Sequence, residues 1–398
     1  MDGRRESREV VVVGAGPAGS ATAARLAGAG HDVLLLDRAH FPRRKPCAEC
    51  VNPAGVEALH RLGAWDAVSA AAHAPLLGWH IAAVGGSGFD GCFPQGMRGI
   101  AIPRQTLDAI LVRHAAGRGA EVRTGVRVLD LVRGARGAVA GVRVRDADGE
   151  REIVGRLVVG ADGLRSVVLR RLGLLRRRPR LRKVALTAHV AGFDGPSGRG
   201  EVHVSGPGAC LGIAAVGDGL ANVTVVLPGE RADEVSGDPA GAFDAALASY
   251  GFEGLRRVDD VLATGPFDCP IRSAVADGAL LVGDAAGYYD PFTGQGIYRA
   301  LRGAELVADA AHAALLAGDT SARALAPYER ARRRAFGPGE RMQHVVEGFV
   351  SRPRLLSAIG RRFGARPSLA DAVIRVTGDV SPVRTLFTPR FWAGLVWP

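Results

Sequence analysis

Val10–Val13 is an unbroken β-branched run, the pattern of a strand buried on both faces. It leads straight into Gly14-Ala15-Gly16-Pro17-Ala18-Gly19, then into an Ala-rich stretch expected to be helical from about Ser20 to Ala29. Gly30 stands where a glycine ends a helix, and a second apolar run, Asp32–Leu36, closes on Asp37. Strand, glycine turn, helix, strand and terminal acid together specify a βαβ unit whose first turn cradles a dinucleotide. Gly14 permits the tight turn, Gly16 lets the backbone approach a pyrophosphate, and Gly19 lets the helix lie close on the strand. Ala18 completes that turn, and the helix N-terminus presents unpaired N–H groups and a positive dipole end to phosphates. Asp37, 23 residues after Gly14, sits where a carboxylate accepts hydrogen bonds from ribose hydroxyls, with Arg38 beside it.

Size and composition fit a large α/β protein. The 398 residues suffice for one domain with an insertion or for two to three domains. The formal charge of +11 raises nucleic acid or an acidic membrane as partners, yet Lys45 and Lys183 are the only lysines. That bias reads as GC-rich coding, and no nucleic-acid-binding signature accompanies the charge, so no nucleic-acid partner is expected. The five cysteines, Cys47, Cys50, Cys92, Cys210 and Cys269, are odd in number and scattered, so no disulfide framework is implied. A lone C-x-x-C at Cys47 and Cys50 lacks the second pair that zinc needs, and no metal is expected. The charged start, MDGRRESRE, lacks a signal-peptide h-region, and no apolar run reaches the roughly 20 residues of a membrane span. A cytoplasmic location is expected.

Two further strand-to-turn junctions specify the cofactor. Leu157-Val158-Val159 runs into Gly160-Ala161-Asp162-Gly163-Leu164-Arg165-Ser166. Leu280-Leu281-Val282 runs into Gly283-Asp284-Ala285-Ala286-Gly287, and the segment continues through Pro291 to Gly294-Gln295-Gly296-Ile297. With the first turn, in this order and spacing, they resemble the FAD-dependent superfamily of para-hydroxybenzoate hydroxylase-type (class A) monooxygenases and geranylgeranyl reductases. The resemblance covers about the first 335 residues. It implies that Asp284, after Gly283, binds the ribityl chain of FAD and that Asp162-Gly163 holds the turn on the pyrophosphate side. It also implies that Arg104, in Ile102-Pro103-Arg104-Gln105-Thr106-Leu107-Asp108, opens a helix beside the FAD phosphates. Gly294-Gln295-Gly296 opens another helix, with apolar residues Ile297, Leu301 and Ala304 at i, i+4 and i+7. Its N–H groups would face the flavin pyrimidine ring and stabilise the anionic reduced form. The family often has Glu where this chain has Gln295, a departure expected to retune the flavin without abolishing binding.

A loop after Asp37 points to one branch of the superfamily. Phe41-Pro42-Arg43-Arg44-Lys45-Pro46-Cys47-Ala48 resembles the F-P-R-x-K-x-C-G segment of geranylgeranyl reductases, with Ala48 in place of the usual glycine. On that match Cys47 lines the active site, as a proton donor or as a small polarisable wall. Arg43, Arg44 and Lys45 are candidates to position FAD phosphates or an incoming nicotinamide nucleotide. The reductases' Y-x-W-x-F-P signature is missing. The corresponding stretch, Cys210–Gly219, reads instead as a hydroxylase-like hairpin continuing to Asn222–Val226. The halogenases' W-x-W-x-I-P is absent too.

The expected fold is a doubly wound, Rossmann-like α/β FAD-binding domain of discontinuous segments (1–78, 101–170 and 275–335) with an inserted antiparallel-sheet substrate domain. That second domain takes 79–100 and 171–274, followed by a C-terminal helical region over 336–398. Residues 184–190, 201–204 and 211–226 carry the β patterning. His189 and His203 fall in this sheet with no acid pairing them in sequence, and read as structural. The eight basic residues from Arg170 to Lys183 read as a solvated connection, or as a contact for NADPH phosphate or acidic lipid. The apolar end, with Trp392 and Trp397, reads as a peripheral membrane contact, a core segment or a subunit contact. Two enzyme readings remain open for a hydrophobic small-molecule substrate, isoprenoid or polyketide. One is a reductase fed by NAD(P)H, ferredoxin or flavodoxin, and the other an oxygen-using hydroxylase. A non-catalytic flavin-binding protein is the reading outside enzymes.

Overall fold

In the computed structural model the described residues are 6–83, 88–180, 183–196, 198–290 and 292–396. Residues 1–5 of the charged start, Arg182 of the basic segment, Pro291 of the third motif and Trp397 lie outside them. The chain forms a mixed α/β fold with an FAD-type Rossmann layer, an outer sheet and C-terminal helices.

Strand β1 (Glu6–Val13) is followed by helix α1 (Pro17–Gly28) and strand β2 (Val33–Leu36). Helix α1 starts a turn earlier than its Ala-rich pattern suggests, because Pro17 at the first helical position already has the required φ. Helix α2 (Arg104–Gly117) leads to β3 (Glu121–Arg123), and a meander then delivers β4 (Gly149–Gly160). The inner sheet runs in the order Ala279–Leu281, β4, β1, β2, β3, every neighbour in that row parallel. Val10 stands opposite Leu157 and Val33, and Val159 opposite Leu280, so the three motif strands lie side by side. Val10, Val11 and Val12 are fully buried.

Register places the three turns on one edge. The Gly14 N–H donates to Leu36 O at 2.7 Å, Ala161 N–H to Val13 O at 2.8 Å, and Val282 N–H to Gly160 O at 2.9 Å. Gly14 adopts φ +101°, and a Cβ there would lie 2.5 Å from Ala161 O. A Cβ on Gly19 would lie 1.8 Å from Gly14 O, so only glycine lets α1 sit this close to the turn.

The outer sheet comprises β5 (Lys183–Ala191), β6 (Arg199–Gly206), β7 (Ala209–Gly217) and β8 (Leu220–Pro228), with Gly78–Ala82 and Gly88–Cys92 added at one end. It is antiparallel throughout except where Gly78–Ala82 runs parallel to β6. Asp218 and Gly219, at φ +53° and +71°, make the two-residue hairpin between β7 and β8. Lys183 is not solvated as its basic surroundings suggest. It is buried, with Nζ 2.8 Å from Asp290 and 2.6 Å from Glu347, because burial of a cation requires paired anions.

The third motif is gripped by helices. Helix α3 (Gly296–Leu316) packs on α1, and helix α4 (Ala322–Val350) runs without a break through 335–336, where the sequence suggested a boundary. Tyr328 Oη of α4 donates to Leu281 O at 2.7 Å, and Arg332 Nη1 to Ala286 O at 3.2 Å. Helices α5 (Pro353–Ala365), α6 (Pro367–Thr377) and α7 (Pro389–Val396) complete the chain. None of the described helices is long and apolar enough to cross a membrane.

Substituting Gly19 by Ala forces the methyl into the Gly14 carbonyl. The expected result is a loss of about 3 kcal/mol in unfolding free energy of flavin-free protein, read by urea denaturation. An unchanged midpoint would contradict this packing.

Candidate functional site

The three turns open into one cavity of about 400 Å³, lined among others by Gly16, Lys45, Cys47, Arg104, Gly163 and Asp284. At the N-terminus of α1 a Cβ on Gly16 would meet nothing closer than Arg43 Nη2 at 3.8 Å and Arg104 Nη2 at 3.9 Å. The helix start therefore faces open space flanked by two guanidinium groups. Arg104, first residue of α2, is buried and forms a two-point hydrogen bond to Asp108, Nε and Nη2 each donating at 2.8 Å. Arg43 Nη1 lies 3.1 Å from the same carboxylate. Burial opposes the Arg104 charge, but Asp108 overrides it and holds the guanidinium protonated. Lys45 also lines the cavity. Burial, reinforced by Arg104, pushes its ammonium below the usual lysine range, and no described side chain pairs with it. Arg43, Lys45 and Arg104 outnumber the carboxylates paired with them, Asp108 and, at 3.9 Å from Arg43, Asp37, which makes this end of the cavity a receptor for a polyanion.

The rest of the lining fits the remainder of a flavin dinucleotide. The Asp284 carboxylate lines the cavity without a hydrogen-bond partner among the described residues, as a group waiting for ribityl hydroxyls would. Positions where Cβ atoms would stand on Gly294 and Gly296 have nothing within 4 Å, so the start of α3 also faces open space, with Ile297 buried behind it. Two helix N-termini, an unpaired lysine and an unpaired aspartate thus converge, and these residues fit FAD.

Other expected residues lie differently. Asp37 is buried, and its carboxylate accepts N–H bonds from Ala15 and Ala39, each at 2.8 Å, bracing the glycine turn. Arg38 is exposed at the end of β2. Arg44 does not line the cavity and pairs with Asp259 at 2.9 Å. Asp162 caps the helix Val167–Leu172, accepting from Val167 N at 2.6 Å and Ser166 Oγ at 2.5 Å, so it holds the turn while Gly163 lines the cavity. Gln295 is buried and donates from Nε2 to Asp379 at 2.9 Å. Asn52 Nδ2 donates to the same oxygen at 2.9 Å. A glutamate at position 295 would confront Asp379 across this bond, which gives the family departure a physical reason.

Cys47 lines the cavity as a free thiol, its Sγ accepting the Glu49 N–H at 3.3 Å. Sequence reasoning missed Glu49, which occupies φ +60°, is buried and also lines the cavity. It accepts the Arg104 backbone N–H at 2.7 Å and pairs with His189 Nε2 at 2.7 Å. His189 Nδ1 is 2.7 Å from Asp259, and His203 Nε2 is 2.7 Å from Glu201, two residues away on the same face of β6, so both histidines have acid partners and only that of His203 was local in sequence. For His189 the partners stand 140 and 70 residues away, beyond any local pattern. Asp108, four residues after Arg104, was readable as a helical ion pair.

Away from the charged end the cavity becomes apolar. Val202, Ile213 and Phe267 line its roof, and Phe349, Phe363 and Phe391 line the side made by the C-terminal helices.

A Rossmann layer with three converging turns and this charge pattern defines a flavoprotein. The chain belongs to the FAD-dependent oxidoreductase family of geranylgeranyl reductase-like enzymes, and it is an enzyme. The model of the FAD binding domain family matches residues 7–195. The chain is 30% identical to a digeranylgeranylglycerophospholipid reductase of Methanosarcina acetivorans, across 85% of this chain and 84% of that one. It is also 30% identical to a menaquinone reductase of Mycobacterium tuberculosis, across 98% of this chain and 95% of that one. A flavin-dependent brominase shares the fold with TM-score 0.80 at 22% identity, over 94% of this chain and 93% of that one.

Two outcomes follow from this geometry. Gly16→Ala should leave flavin-free stability unchanged, since the methyl enters open space, while weakening FAD binding at least about tenfold in fluorescence titration. Burial raises the Asp379 carboxyl from its ordinary 3.8 to about 7. Between those values the folded chain keeps a proton that the unfolded chain has lost, so this contribution to stability is full at low pH and is lost as pH rises to about 7. Asp379→Asn should therefore gain on the wild type by about 2 kcal/mol between pH 5 and pH 8 in paired denaturation curves.

Proposed function

We propose that the chain reduces carbon–carbon double bonds in the isoprenoid tail of a membrane lipid, with NAD(P)H or a reduced electron carrier restoring the flavin. The observation that carries this reading is the cavity's second half. It runs from the Asp284 and Gly296 end to Phe387 and Trp392, which are 60% and 46% exposed at its mouth. An apolar passage with aromatic residues at an open rim suits a long hydrocarbon chain drawn from a bilayer, with Arg384 and Arg390 exposed beside it for acidic headgroups. The names of the two reductase relatives, one acting on a geranylgeranylated lipid and one on menaquinone, support the same substrate class.

Bound FAD supplies hydride exchange. The protein's own residues then have separable tasks. Arg43, Lys45 and Arg104 hold the pyrophosphate, Asp284 orients the ribityl chain, and the start of α3 favours negative charge on the reduced ring. The apolar walls exclude water and align the substrate double bond. Cys47, on the cavity wall beside Glu49, donates a proton to the alkene carbon.

Purified protein should be mixed anaerobically with NADPH or dithionite and vesicles carrying a geranylgeranyl lipid, and the product weighed by mass spectrometry. Gain of two hydrogens per double bond is expected. Oxygen in the product under air would replace this reading with a hydroxylase, and an unmodified lipid would remove it. Asp284→Ala should purify colourless, and Cys47→Ser should slow single-turnover reduction at least about tenfold.

A further inference from the structure

Glu49, His189 and Asp259 form a continuous line from cavity to surface. Glu49 Oε2 and His189 Nε2 are 2.7 Å apart, and His189 Nδ1 and Asp259 Oδ2 are also 2.7 Å apart. The two ends differ in access. The Glu49 side chain is 5% exposed and lines the cavity, whereas Asp259 is 23% exposed and reaches solvent. His189, on β5 of the outer sheet, is the only described group joining them. The other carboxylate contacts fix the geometry. Glu49 Oε1 is occupied by the Arg104 N–H at 2.7 Å, Asp259 Oδ1 takes the His189 N–H at 2.9 Å, and Arg44 Nη2 stands 2.9 Å from that same oxygen. One oxygen of each acid is thereby left directed at the imidazole, an arrangement that passes protons through a ring with two nitrogens.

We infer that Glu49, His189 and Asp259 are a proton relay that carries protons from solvent to the reaction cavity. The inference rests on the reductase reading for its chemistry. Saturating a double bond adds a hydride, supplied by reduced flavin, to one carbon and a proton to the other. Cys47, the donor at the cavity, is left deprotonated and is refilled by the His189 imidazolium through the adjacent Glu49 carboxylate. His189 is refilled from solvent through Asp259. One proton enters from water for each double bond, so charge and atoms balance. Three observations favour a relay over a simple fastening of loop to sheet. Glu49 holds a left-handed backbone at φ +60°, a strained conformation for this residue type that aims its carboxylate between cavity and histidine. A neutral amide could serve as a fastening, yet two acids flank one imidazole. The charged groups facing His189 are Glu49 and Asp259, with Arg44 behind Asp259 and Asn222 opposite on β8. Burial alone would disfavour the imidazolium, but the Glu49 and Asp259 partners outweigh it and raise the histidine above its ordinary value.

The test pairs a spectroscopic readout with kinetics. In ¹⁵N-histidine-labelled wild-type protein, His189 should titrate above a free imidazole, and Glu49→Gln should move its midpoint down. A His189 midpoint at or below that of a free imidazole, or one unmoved by Glu49→Gln, would overturn the relay, whatever the substrate proves to be. In single-turnover reduction of the geranylgeranyl lipid, His189→Gln, which keeps one hydrogen bond, should lower the rate by on the order of 10²-fold with FAD affinity unchanged. The remaining rate should lose the wild type's dependence on pH. An unaltered rate and pH profile would overturn the inference, as would a rate loss explained by lost flavin. Failure of the wild type to reduce any isoprenoid would remove the substrate reading alone, and the histidine titration would still decide the relay.

Discussion

Hydrogen bonding between three parallel strands governs everything else in this molecule. Val10–Val13, Leu157–Gly160 and Ala279–Leu281 come from separate parts of the chain, yet the ladder fixes their mutual register to a single residue. A slip of one position would turn buried valines outward and displace every turn at the strand ends. Because the register holds, Gly14, Ala161 and Val282 leave the sheet at the same edge, tied by bonds of 2.7–2.9 Å. The unpaired N–H groups of α1 and α3 consequently face one cavity. An extended anionic cofactor is the natural occupant of such an edge, since its charge meets two helix starts at once.

Charge placement around that edge follows one rule, that no buried charge stands without a partner unless a ligand is to supply it. Arg104 and Arg43 share Asp108, and Lys183 is held between Asp290 and Glu347. Lys45 and Asp284, facing the cavity, are the exceptions. The same rule links the C-terminal region to the flavin turn. Asp379, at φ +57°, takes amide protons from Gln295 and Asn52 and thereby joins three distant segments at the start of α3. Neutral Gln295 is compatible with Asp379, whereas an anion at that position would not be.

The outer sheet and C-terminal helices decide what the flavin can reach. Their inward faces contribute branched and aromatic side chains and almost no charge, so the far half of the cavity accepts hydrocarbon. One polar device crosses that layer, the His189 line between Glu49 and Asp259. It joins the loop carrying Cys47 to the sheet above it. That line and the Arg44–Asp259 pair together couple the geometry of the cofactor loop to that of the substrate roof.

Much of this was legible in the chain alone. The valine run and glycine turn dictated a βαβ unit, because tight turns, helix starts and buried strands each demand particular residue types at particular spacings. The strand-to-turn junctions at Gly160 and Gly283, and the helix opening at Gly296, were legible for the same local reason. The pairing of Arg44 with Asp259 depends on a loop path that composition does not encode. Glu49, His189 and Asp379 were invisible as a set, their partners lying 140 and 84 residues off in the bonds that matter. Local sequence thus determined the elements and the cofactor turns, because short-range sterics and hydrogen bonding are written in neighbouring residues. Tertiary structure alone decided the partners of buried charge and the shape of the apolar passage, since both arise only where distant segments exclude water together.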